Sequence, residues 1–133
     1  MRKFEAVIFD CDGVLMDSII LSMQINIGIF ARYGYYLTID EYQKQYLELG
    51  SLLFAKKLKE EYGIEFKNIQ DERWSLLKES FKQNLKLIPH IKETLDILKR
   101  ENIAIGVASN SWVERLEYSL KLIDLYDVFE GHV

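Results

Sequence analysis

The chain has 133 residues, 49% of them hydrophobic and 29% charged, with one proline and one cysteine, which excludes a disordered tail, a collagen-like repeat and a disulfide scaffold. Its 17 Lys and Arg against 21 Asp and Glu leave a net charge of −4, the wrong sign for a sequence-independent grip on nucleic acid or an anionic membrane. No apolar stretch approaches a bilayer span, Asp10 breaks the N-terminal apolar run too early for a secretory signal, and a lone cysteine suits a reducing compartment, so a cytoplasmic protein is expected.

The first element lies in residues 4–10. Ala6-Val7-Ile8-Phe9 is apolar without alternation, the pattern of a strand covered on both faces in a parallel sheet. It ends in Asp10-Cys11-Asp12-Gly13, a polar turn whose glycine tolerates positive φ. Residues 18–33 predict a helix stopped at Gly34, although the Ile25-x-Ile27-x-Ile29 alternation also fits a strand. Thr38 and Glu41 are spaced as a capping box, and residues 51–62 read as a helix ending at Gly63. Asn68 is placed to cap a longer helix marked by Trp74, Leu77, Phe81 and Leu85.

Pro89 suits the first turn of the next helix, whose stripe is Ile91, Leu95 and Leu98 and whose left-handed stop is Asn102. Residues 103–108 repeat the buried-strand pattern and end in Ser109-Asn110-Ser111. Ser111 and Glu114 have the spacing of another capping box, and Val113, Leu116, Leu120 and Ile123 mark the buried face of a last helix. The predicted fold is α/β: a parallel-sheet core made of 1–15 and 88–133, with an all-helical insert, 16–87, that leaves and rejoins it at neighbouring points.

In an open parallel sheet, ligands bind beyond the carboxyl ends of the strands, which is where Asp10, Asp12, Ser109 and Asn110 fall. Two carboxylates this close repel unless a cation neutralises one, and a hard divalent ion such as Mg²⁺ takes oxygen ligands while keeping several waters. One carboxylate can then attack phosphorus while the other exchanges a proton with the leaving group. Ser109 and the start of the following helix offer a hydroxyl and N–H groups to a phosphate. Cys11, flanked by two acids that raise a thiol's pKa, reads as a small buried residue, and Ser111 as a helix cap.

At these residues the sequence resembles the haloacid dehalogenase superfamily, in its phosphatase and phosphomutase branch with an α-helical cap. Residues 9–18, Phe-Asp-Cys-Asp-Gly-Val-Leu-Met-Asp-Ser, are similar to the first motif of that family. Val107-Ala108-Ser109-Asn110-Ser111 resembles the second, and Ile88-Pro89-His90-Ile91 the return from cap to core, with His90 where glycine is frequent. The resemblance implies a Rossmann-like core, Asp10 as the nucleophile that becomes an aspartyl-phosphate, and Asp12 as general acid and base. It implies Mg²⁺ held by the Asp10 carboxylate and the Asp12 backbone carbonyl, and phosphate held by the amides near Asp12 and Gly13, the Ser109 hydroxyl and the Asn110 backbone. The second acid, Asp12, favours phosphate esters over haloacids.

The implied activity is hydrolysis of a small phosphate monoester, a sugar phosphate or similar metabolite. The alternatives are a phosphomutase, or a non-catalytic relic that binds phosphate or a protein partner. The family's third and fourth motifs, a lysine and further acidic metal ligands, have no counterpart before Val133. The chain therefore reads as an N-terminal part, with little or no turnover of its own and an exposed apolar strand edge at residues 4–10 prone to self-association.

Overall fold

The computed structural model describes residues 3–49 and 51–129. The element order is β1 (Ala6–Phe9), α1 (Ile19–Arg32), α2 (Ile39–Tyr46), α3 (Ser51–Tyr62), α4 (Phe66–Asn84), α5 (Ile91–Arg100), β2 (Ala104–Val107), α6 (Val113–Leu122) and a short 3₁₀ turn, Asp127–Phe129. The fold is α/β with a small parallel sheet and a helical insert. Among the described residues, no helix is long and apolar enough to cross a membrane.

Two compact units emerge. One takes in the described residues up to Ile19 and from Asn84 onward; the other is Ile20–Gln83. In the first, β1 and β2 pair in parallel, with Ala6 opposite Ala104 and Phe9 opposite Val107. The ladder extends by one bond, from the Ala108 N–H to the Phe9 carbonyl (2.9 Å), so the two polar strand ends emerge side by side. The chain leaves this unit through Leu15-Met16-Asp17 and returns through Lys86-Leu87-Ile88, and these segments pair: the Asp17 N–H donates to Lys86 (2.9 Å) and the Ile88 N–H to Leu15 (3.0 Å). Met16 is fully buried in the core of the first unit, with Leu15, Leu95, Val107, Leu116, Leu120 and Phe129. The unit boundary accordingly lies inside the 16–87 read from the sequence.

The helical unit has its own core around Phe30, with Tyr42, Tyr46, Phe54 and Tyr62 packed against its ring. The stretch with the ambiguous isoleucine alternation is helix α1, because Met23, Ile29 and Phe30 at helical spacing are buried together. Gly34 and Gly63 follow their helices at positive φ, 86° and 66°, and Asn102 takes the left-handed stop at 51°. Thr38 and Glu41 form the complete capping box.

Other local readings are corrected. Asn68 lies inside α4, which begins at Phe66. Pro89 precedes α5, whose N-cap is His90 at φ 68°, a conformation that favours glycine. Ser111 and Glu114 do not close a box: α6 has Trp112 as its N-cap, without a side-chain bond. The apolar run of β1 also behaves differently from a strand covered on both faces. Val7 and Phe9 are half-buried, but Ala6 and Ile8 are exposed, Ile8 by 72%.

Candidate active site

Asp10 sits immediately after β1, where the chain leaves the ladder. Its Oδ1 accepts the Cys11 N–H at 2.8 Å, and its Oδ2 has no partner among the described residues. The carboxylate is exposed, anchored on one side and open on the other. Gly13 turns the chain at φ 75°. That conformation favours glycine; a Cβ there would also meet Ile19 Cδ1 at 2.6 Å, a flexible side-chain end that can turn away.

Asp12 is in a different condition. Arg115 grips it with two parallel bonds, Nη2 to Oδ1 at 2.8 Å and Nη1 to Oδ2 at 2.9 Å. The hydroxyl of the fully buried Ser18 donates to Oδ1, and that of Ser111 donates to Oδ2 at 3.2 Å. Arg115 also donates to the Ser111 hydroxyl. Burial pushes the Asp12 carboxyl upward, but the hydrogen bonds and charge of Arg115, with Ser18 and Ser111, outweigh it and hold the group below the usual carboxylate range. Asp12 is therefore ionised and saturated with donors at rest.

The loop after β2 joins the same cluster. The Ser111 N–H donates to Ser109 Oγ at 3.0 Å, while the Ser111 side chain reaches Asp12. Ser109 is half-buried and Asn110 exposed. The structure thus brings Asp10, Asp12, Ser109 and Asn110 to one edge of the sheet. The Gly13 N–H is already committed to the Met16 carbonyl at 2.8 Å. The amides of Asp12 and Asn110 donate to no described residue, and these remain for an anion. Cys11 is buried, its thiol pushed up to about 12 by burial first and then by Asp12, which suits packing and not nucleophilic attack.

Sequence reasoning missed Arg115 and Ser18. The expected buried face of α6 included Val113, which is 67% exposed, whereas Arg115 is 8% exposed. The available signal was a ridge at steps of four, Ser111, Arg115 and Ser119, on an otherwise apolar helix face; the Ser119 hydroxyl donates to the Arg115 carbonyl at 2.7 Å.

A divalent cation can be tested against these groups. The open Oδ2 of Asp10 is a hard oxygen ligand, and none of the turn's backbone bonds uses the Asp12 carbonyl. Both suit an ion that keeps several waters. The Asp12 side chain does not fit as a ligand, since Arg115 and two hydroxyls occupy it. Among the described residues, no three His, Cys, Asp or Glu cluster as a metal site.

Comparison with known proteins supplies a family and a fold. The sequence profile of the family described as haloacid dehalogenase-like hydrolase matches residues 7–133. A Thermotoga maritima protein named phosphorylated carbohydrates phosphatase is 28% identical over 131 residues, covering 95% of this chain and 59% of that protein. The solved structure of a haloacid dehalogenase-like protein of unknown function from Agrobacterium tumefaciens superimposes with a TM-score of 0.76 at 27% identity, over 97% of this chain and 57% of that one. A Thermotoga maritima structure whose name proposes a β-phosphoglucomutase gives 0.72 at 27% identity, over 96% of this chain and 59% of that one. The chain spans under two thirds of the length of each of these relatives.

Proposed function

Because the chain belongs to the haloacid dehalogenase-like hydrolase family, we propose that it carries the nucleophile, the acid–base group and part of the phosphate cradle of a Mg²⁺-dependent phosphomonoesterase. Its substrate is a small phosphorylated metabolite of the sugar-phosphate kind, a class supported by the similarity to a phosphatase of phosphorylated carbohydrates. The observation that carries the reading is the Asp10 carboxylate, anchored through Oδ1 and open at Oδ2, at the strand end beside the Ser109 loop.

In this reading Asp10 Oδ2 attacks phosphorus, and the phosphorus–oxygen ester bond breaks with its electron pair going to the leaving oxygen. That oxygen takes a proton from Asp12. Water then attacks the aspartyl-phosphate, gives its proton to Asp12, and releases phosphate from Asp10. Asp12 rests in the form that accepts the proton from water; to protonate the leaving group it must take up a proton and come off Arg115. Ser109 Oγ and the Asp12 and Asn110 amides hold the phosphoryl oxygens. When bound, Mg²⁺ would be held by the Asp10 carboxylate and the Asp12 backbone carbonyl and would supply neutralising charge between two anions.

Beryllofluoride with Mg²⁺ tests the nucleophile without requiring turnover. The expected result is a bound ¹⁹F resonance that vanishes in Asp10→Asn. A resonance that survives this substitution, or phosphate release from a panel of esters that survives it, overturns the assignment. Neither adduct nor release leaves the non-catalytic reading standing. A phosphomutase uses the same aspartyl-phosphate and is supported by the structure named for that activity; formation of a rearranged sugar phosphate without free phosphate decides for it.

The bare face of β1 supports self-association. Ala6 and Ile8 stand exposed on the strand next to Phe4, which is 54% exposed. Sedimentation equilibrium is expected to show mass rising with concentration, and Ile8→Lys to abolish the rise. A monomer at all concentrations, or association unchanged in Ile8→Lys, removes the proposal.

A further inference from the structure

Arg115 is the group at this edge that the reading above leaves without a role. It is nine-tenths buried, both of its terminal nitrogens are bonded to the Asp12 carboxylate, and Nη1 also reaches Ser111. A guanidinium so placed presents no face to a ligand, and it acts through the carboxylate that it holds. Its effect is electrostatic and geometric at once. Without it, the sheet edge would present two anions, Asp10 and Asp12, to an incoming phosphoryl dianion, and like charges at this range oppose binding. The two-pronged fork also fixes the plane of the Asp12 carboxylate, which a single-point ammonium would not do. Ser111 transmits that placement to the phosphate loop, since its hydroxyl is bonded to Asp12 and its amide to Ser109 Oγ.

We propose that Arg115 is a positioning residue of the phosphate site: by holding Asp12 at both oxygens it cancels that carboxylate's charge and sets it, with Ser111, in a place from which a phosphoryl dianion can enter beside Asp10. This deepens the phosphatase reading and rests on it.

The test is binding of inorganic phosphate to the whole chain at low ionic strength and fixed neutral pH, followed by calorimetry, with circular dichroism and Tm recorded for each variant. Arg115→Met, which leaves the Asp12 charge uncompensated, is expected to weaken phosphate at least tenfold. Arg115→Lys, which keeps the charge and loses the fork, should recover part of that loss. Asp12→Asn, which leaves the guanidinium charge in excess, should tighten binding. The double variant Asp12→Asn with Arg115→Met removes both charges and should return within about threefold of the parent, a rescue that simple loss of packing would not produce.

Should Arg115→Met fail to fold, the order of the other three against the parent still decides. Unchanged affinity in a folded Arg115→Met, or a double variant as weak as Arg115→Met, overturns the inference and leaves the phosphate site intact. A parent chain that binds no phosphate overturns the site reading and this inference together.

Discussion

Asp12→Asn is expected to destabilise the fold by about 3 kcal/mol, much more than the loss of one ordinary hydrogen bond. The reason is what it leaves behind. Arg115 is 8% exposed, and the substitution takes away the charge bonded to both of its terminal nitrogens. Asparagine can still accept a hydrogen bond through its carbonyl, so lost bonds alone would predict a smaller effect. Thermal unfolding at pH 7 measures the difference, and adding Arg115→Met should recover most of it, because a buried ion pair replaced on both sides by neutral groups is often no weaker than the pair.

The same pair predicts a pH dependence. The Asp12 carboxyl is lowered in the folded chain from its ordinary value of 3.8. Its contribution is therefore complete above that ordinary value and is lost as pH falls through the lower folded one. The gap in Tm between the parent and Asp12→Asn should stay constant from pH 7 down to about 4 and shrink below it. A gap that stays constant through acid would show that the ion pair is not its source.

How far the site was legible in the sequence follows from which forces are local. Asp10, Asp12 and Ser109 declare themselves because each ends an apolar strand run in small polar residues, and two adjacent parallel strands put such ends side by side. Arg115 does not, because its meaning lies in a partner 103 positions away; within α6 it is one cation among alternating polar residues. Two capping boxes with the same spacing show the same limit. Thr38 and Glu41 face no competing partner and close the box, whereas the Ser111 hydroxyl is taken by Asp12 and Arg115. Asn68 reads as a start because asparagine favours caps, yet Phe66 packs against the aromatic cluster and helix α4 begins there. His90 at positive φ is likewise invisible to propensity, since the turn, not the residue, sets that conformation.

Phe30→Ala should have the largest effect of any single change in the helical unit. Its ring is fully buried and lies 5.5 Å from Tyr46, 5.6 Å from Tyr62, 6.0 Å from Tyr42 and 6.2 Å from Phe54. Emptying such a site costs about 4 kcal/mol, while a core of this size rarely supplies more than about 3–5 kcal/mol. The helical unit is therefore expected to unfold in water at 25 °C. Each unit carries one tryptophan, Trp74 in the helical unit and Trp112 in the other, just after the Ser109 loop. Single-tryptophan versions report the units separately: with Trp112→Phe the Trp74 emission should already be that of unfolded chain without denaturant, and with Trp74→Phe the Trp112 emission should remain native. Retention of phosphate binding in Phe30→Ala would follow, since Asp12, Ser109 and Arg115 all belong to the other unit. Simultaneous loss of both signals would show instead that the units fold as one cooperative body.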